Sequence, residues 1–330
     1  MSQISKAAKA PLILSCYVCA FGAFGAFFRW LQMQAARDAE TGLMNPSILN
    51  LLVPLTIICA AVVFYLRLKK LLGEGVELPT EFYAALRGNS LLCPAFSWLL
   101  CAITVAGGIV TMINVSLDAQ RGLYTVIAAL GMLCGLGFPL VCSAARKRYS
   151  PGLVSLIMSL PILMYCLWLI ACYRANSNNP NLWVYAVEIV TVCVLIIAFY
   201  YAAGFPFGRA KPNTASFFCM LGAFLGIVTL ADGRYFGLQL ILIGSVGMLL
   251  MENWILIRNM REKTEPEPEA ESLPEAEPEA AQEPEPEPEA EPTEPVPEPT
   301  IEAPARKKAP DAAEQRDAEV DEILKEYKKP

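Results

Sequence analysis

The sequence predicts an all-α polytopic membrane bundle of about eight transmembrane helices with a disordered acidic C-terminal tail. Three observations lead there. Of the 330 residues, 55% are apolar, and they gather into runs close to the roughly 20 residues a helix needs to cross hydrocarbon. Basic residues concentrate in alternate loops between these runs. The charge also divides along the chain: residues 1–257 hold 16 Lys and Arg against 9 Asp and Glu, whereas 258–330 hold 10 against 23. The low pI of about 5.0 therefore describes the tail and not the apolar part. The division predicts three regions: a membrane domain over 1–257, a Pro/Glu-rich disordered linker over 258–310, and a short amphipathic cytoplasmic helix over 311–330.

The N-terminus MSQISKAAKA precedes an apolar run from Pro11 to about Leu31. Seven further runs follow, so the first is read as an uncleaved helix and not a signal peptide. They cover roughly Ser47 to Leu66, Ser90 to Ile113, Gly122 to Cys142, Pro151 to Tyr173, Leu182 to Ala203, Thr214 to Leu230 and Tyr235 to Ile257. The bases Lys6, Lys9, Arg67, Lys69, Lys70, Arg87, Arg146, Lys147, Arg148, Arg209, Lys211, Arg258, Arg261 and Lys263 fall on one side, and the opposite loops carry only Arg37, Arg121, Arg174 and Arg234. By the positive-inside rule both termini are expected in the cytoplasm. The basic clusters are accounted for by topology and contact with an anionic lipid bilayer, without nucleic acid.

Two four-helix repeats are one reading of the domain. The run from Asn45 resembles that from Asn179, and GIVT recurs at Gly108 to Thr111 and Gly226 to Thr229. Shared apolar composition is the other reading. Gly131 with Gly135 and Gly222 with Gly226 form GxxxG pairs suited to close helix approach. Pro54, Pro94, Pro139 and Pro161 are expected to interrupt four spans.

Chemistry inside the spans is sparse. There is no histidine, which removes the commonest general base and metal ligand. No GxGxxG, Walker loop or GxSxG occurs, and without His neither a triad nor a zincin motif is available, so no enzyme, metal or cofactor is expected. Eleven cysteines lie mostly within apolar runs, where a thiol behaves as a small hydrophobe. The one intramembrane carboxylate well inside a run is Glu188. At 1.5 Å per residue it lies about 9 Å deep and Arg29 about 3 Å deep on the same side. Asn50 and Gln239 fall at similar depths, which gives a candidate polar site of Glu188, Arg29, Asn50 and Gln239. Two roles remain open for it: an outward-facing solute site, or a fastener in which Glu188 pairs with Arg29 while Arg29 snorkels toward headgroups. Glu252, near the inner boundary beside Trp254 and Arg258, reads as interfacial.

From Glu262 to Pro310 the chain is dominated by Glu, Pro and Ala, with 13 prolines and little that could form a core. It is expected to be extended by its own charge. At its end Val320, Ile323, Leu324 and Tyr327 fall at i, i+3, i+4 and i+7, one apolar stripe that suits docking to a protein partner. The expected function is a non-enzymatic anchor or scaffold that presents this tether, with a small-solute transporter or transporter subunit using the Glu188 site as the alternative. The segment FRWLQMQAARDAETGL, at the end of the first run, resembles a stretch of uncharacterised multi-pass membrane proteins of anaerobic Gram-positive bacteria. The resemblance implies a plasma-membrane location and carries no activity.

Overall fold

A computed structural model describes residues 2–35, 47–73, 76–88, 92–115, 120–177 and 182–262. The linker and the stripe of Val320, Ile323, Leu324 and Tyr327 lie outside the described residues. Eight described helices are long and apolar enough to cross a membrane. In chain order these and the shorter elements are α1 (Ser2–Ala35), α2 (Leu49–Leu72), β1 (Val76–Glu77), α3 (Phe82–Ala85), α4 (Leu92–Asn114), α5 (Arg121–Lys147), α6 (Pro151–Asn176), α7 (Leu182–Ala203), α8 (Pro212–Val228), α9 (Phe236–Arg258) and β2 (Arg261–Glu262).

The helices are not equivalent. In α9, 72% of the apolar window is buried, against 17% in α2, so α9 is central and α2 peripheral. Leu51, Leu55, Ile58 and Val62 run along α2 at helical spacing and stay more than half exposed, which is the face a bilayer would cover. α9 packs chiefly on α4, α8 and α1. The α4–α9 seam is close because Gly107 and Gly237 face each other: a Cβ on Gly107 would lie 2.7 Å from the Gly237 carbonyl. Of the GxxxG pairs, Gly131 faces Ile241 and Gly226 faces Val246, both on α9, so α5 and α8 each turn a small residue to the same central helix. The two helices that carry GIVT sit differently around it, since α8 packs on α1, α2, α7 and α9 whereas α4 packs mainly on α5 and α9.

The proline expectation is corrected. Helices run continuously through Pro54, Pro139 and Pro161, and Pro94 sits in the first turn of α4. A first-turn proline lacks only an N–H that would have had no helical partner. At Pro139 and Pro94 the nearby hydroxyls of Ser143 and Ser97 donate to the proline carbonyls at 2.8 Å.

At the end of the molecule where α2 and α9 finish, small elements unforeseen in the sequence close the surface. β1 pairs antiparallel with β2, Val76 opposite Glu262 and Glu77 opposite Arg261. Asn259, just past α9, donates from Nδ2 to the carbonyls of Ala85 at 2.9 Å and Arg87 at 3.1 Å. α5 ends here with Arg148 in the left-handed region at φ 52°, and Ser150 then caps α6 by accepting from the Leu153 N–H at 3.4 Å. We call this the basic end, after Lys69, Lys70, Arg146 and Lys147 in the last turns of α2 and α5.

Candidate polar site between six helices

The opposite end holds the candidate site. It is organised by the turn between α8 and α9. Thr229 closes α8 as its hydroxyl turns back to the Leu225 carbonyl at 3.1 Å, and a 3-10 turn over Thr229–Ala231 follows. Asp232 then adopts extended backbone, with φ −74° and ψ 142°. Gln239, in the first turns of α9, donates from Nε2 to the Asp232 carbonyl at 3.1 Å and to the Leu230 carbonyl at 3.4 Å. This fixes the turn against its own helix and points the Asp232 carboxylate at α1.

Arg29 meets it there. The side chain is fully buried, which is tolerable for a guanidinium only when its N–H groups are matched by acceptors. Its Nε donates to Asp232 Oδ1 at 2.7 Å, Nη1 to Gln32 Oε1 at 2.8 Å and to the Trp183 carbonyl at 3.0 Å, and Nη2 to the Val184 carbonyl at 2.5 Å. Gln32 passes the chain outward, donating from Nε2 to Asn50 Oδ1 at 3.0 Å on α2. On the other flank Asp232 Oδ2 accepts from Arg234 Nη2 at 2.9 Å. Arg234 Nε lies 2.9 Å from Glu188 Oε1 on α7. That is an ion contact and not an aligned hydrogen bond, because Nε has no hydrogen-bond partner among the described residues. Glu188 also accepts from the indole N–H of Trp168 on α6 at 2.9 Å, and the Arg234 guanidinium lies 5.8 Å from the centre of the Trp168 ring.

The four sequence-selected residues therefore belong to one network, but not in the expected pairing. Arg29 does not snorkel, and Asp232 rather than Glu188 receives its Nε. Glu188 pairs with Arg234. The intermediaries Asp232, Arg234, Gln32 and Trp168 were missed because a charge in a four-residue loop reads as a topology signal. The available sign was that the ADGR turn lies at the same membrane end as Arg29 and Glu188 and carries one charge to match each.

Electrostatically the site is balanced, with two guanidiniums and two carboxylates in alternation: Arg29, Asp232, Arg234, Glu188. Exposure grades along it. Arg29 is at 0% by side chain, Asp232 and Arg234 at 9%, and Glu188 at 17%. Burial raises the Asp232 carboxyl above its ordinary value, and the opposing pull of Arg29 and Arg234 limits that rise. Such a chain links α2, α1, the α8–α9 turn, α7 and α6, with α9 joined through Gln239. Among the described residues no group of three or more His, Cys, Asp or Glu is placed to hold a metal, and the cysteines described are free thiols.

Glu252 also departs from expectation. It is buried at 5% exposure and not interfacial, because it sits on the helix that is enclosed on nearly all sides. Comparison with protein-family models, curated proteins and solved structures finds no match to this chain.

Proposed function

We propose that this integral membrane protein is a non-enzymatic anchor or scaffold of the plasma membrane, with both termini cytoplasmic. Its helical body presents an acidic tether that ends in a partner-binding helix over 311–330, docking through Val320, Ile323, Leu324 and Tyr327. The observation that supports this reading most is the use made of the intramembrane charges. Arg29, Asp232, Arg234 and Glu188 are joined in successive ion pairs, which is what a fastener between helices requires. A solute site would need groups left free to exchange partners. The tail, by contrast, combines strong charge with a defined apolar stripe at its end. The test is crosslinking in cells with the full chain and with residues 264–330 deleted. The full chain should capture a cytoplasmic protein that the deletion loses, and identical crosslinks from both would reject the reading.

One observation favours a second reading, a small-solute transporter or its membrane subunit. Glu188 is the most exposed charged member of the network, at 17% by side chain, and is the one a solute arriving from that end would meet. Under this reading Glu188→Gln abolishes uptake into reconstituted vesicles while the protein stays folded. Unchanged uptake would reject it.

A further inference from the structure

Glu252 lies six residues before the end of α9, so it stands about 9 Å into the bundle from the basic end. Its Oε2 is fully shielded and has no hydrogen-bond partner among the described residues. Glu252 borders a narrow, partly open cavity of about 10 Å³ lined by Cys134 and Phe138 of α5, Ile157 and Pro161 of α6, Phe199 of α7 and Met248 of α9. That is about the space one water occupies, and a buried water needs at least two polar partners. Glu252 is one. The backbone supplies another, because Pro161 has no N–H and so leaves the Ile157 carbonyl, one turn earlier in α6, without its helical donor. Both residues line the cavity.

An ionised carboxylate here would be stranded. The titratable groups that face Glu252 are thiols, Cys134 and Cys142 from α5 and Cys219 from α8. From α6 and α7 the lining is Ile157, Pro161 and Phe199. Among the described residues Glu252 takes part in no ion pair. Taking an unpaired carboxylate out of water costs far more than the neutral acid does, and the group takes up a proton instead. Glu188 shows the contrast within the same chain, since it has Arg234 and Trp168 as partners.

We propose that Glu252 is a proton-binding site in the half of the membrane body nearer the basic end. The bound species is the neutral carboxyl, whose O–H donates to one cavity water, and that water donates to the Ile157 carbonyl. Release of the proton leaves a carboxylate and requires α6 or α7 to yield, so that water entering from the basic end both accepts the proton and solvates the charge. The site shares no residue with the Glu188 network.

Infrared spectroscopy of the full chain in lipid vesicles at pH 7 tests this directly. The many tail carboxylates are ionised at that pH, so they leave the protonated-carboxyl region clear. The wild type should show a protonated-carboxyl stretch that is lost in Glu252→Gln, retained in Glu188→Gln, and slow to shift in deuterated water. Glutamate labelled with 13C must move the same band in the wild type, which keeps the assignment testable even if Glu252→Gln fails to fold. Pro161→Ala restores a donor to the Ile157 carbonyl and should move the band to higher frequency as the water bridge weakens. Absence of a protonated glutamate band at pH 7, or a band that shifts at once in deuterated water, would overturn the proposal.

Discussion

Arg29→Met is the perturbation that best probes the polar network. Met fills much of the same volume and removes only the guanidinium. Four hydrogen bonds are lost, but they do not weigh equally. The Trp183 and Val184 carbonyls lie in the first turn of α7, and each keeps the second lone pair that serves its own helix. Losing Arg29 costs them little. Gln32 can turn its amide. Asp232 cannot compensate, since it stays 9% exposed by side chain with one guanidinium where it had two. Breaking a buried pair by removing one partner costs about 3–5 kcal/mol, and that range is the expected loss, read by reversible denaturant unfolding in mixed micelles. Asp232→Asn should cost a comparable amount, about 3–5 kcal/mol, because it leaves the fully buried Arg29 guanidinium without its counter-charge. The double variant should then lose less than the sum of the singles. The pH dependence has a definite sign. A carboxyl whose folded value is raised contributes stability that is complete below its ordinary value of 3.8 and is lost as pH rises through the folded value. Arg29 opposes that rise, so Arg29→Met raises the folded value further and its defect should be larger at pH 8 than at pH 5. An Arg29→Met cost below about 1 kcal/mol, strict additivity with Asp232→Asn, or a defect that grows toward low pH would each refute the assignment.

Two further outcomes concern other parts of the body. Ser216→Ala removes the hydroxyl that donates to Asn253 Oδ1 at 2.6 Å between α8 and α9. With Asn253 at 1% exposure, the stranded acceptor should lower unfolding stability by about 1–3 kcal/mol. Asn259→Ala frees the Ala85 and Arg87 carbonyls at the surface of the basic end, so global stability should fall by under about 1 kcal/mol while amide exchange quickens over residues 82–87. An unaltered exchange rate there would show that Asn259 does not hold that segment.

Hydropathy carried the architecture because crossing a bilayer imposes one length and one composition on every span, whatever its neighbours. Each of the eight runs read from the sequence corresponds to a helix, although the bounds differ: the second run was read to Leu66 and its helix continues to Leu72, since Lys69 and Lys70 can extend a helix beyond hydrocarbon. Depth along a span was equally legible, which is why Arg29, Glu188, Asn50 and Gln239 meet in one network. What depth cannot supply is rotation about the helix axis and rank within the bundle. Glu252 was misplaced for that reason: its distance from the helix end suggested an interface, but α9 has almost no lipid face. Asp232 was missed because it is 203 residues from Arg29 in sequence and lies in a turn whose charges look like any loop's. β1, β2 and α3 are too short to leave a periodic signal.

α9 carries parts of both polar features, with Gln239 bracing the Asp232 turn at one end and Glu252 on the cavity toward the other. Thirteen residues of helix separate them by about 20 Å. If α9 is a passive core helix, the two are independent, because effects at such separation add within about 0.3–0.5 kcal/mol when no partner is shared. Arg29→Met combined with Glu252→Gln should therefore cost the sum of the two. The seam with α4 argues for this outcome: Gly107 and Gly237 bring the backbones so close that a slide of α9 along its axis would drive Gly237 into Thr111, its neighbour across the seam. Loosening at the Arg29 end is then absorbed by α1 and the α8–α9 turn and does not reach Glu252. A departure from additivity above about 1 kcal/mol would mean that α9 shifts as a unit. In that case the protonation of Glu252 and the closure of the charged network would be two readings of one movement.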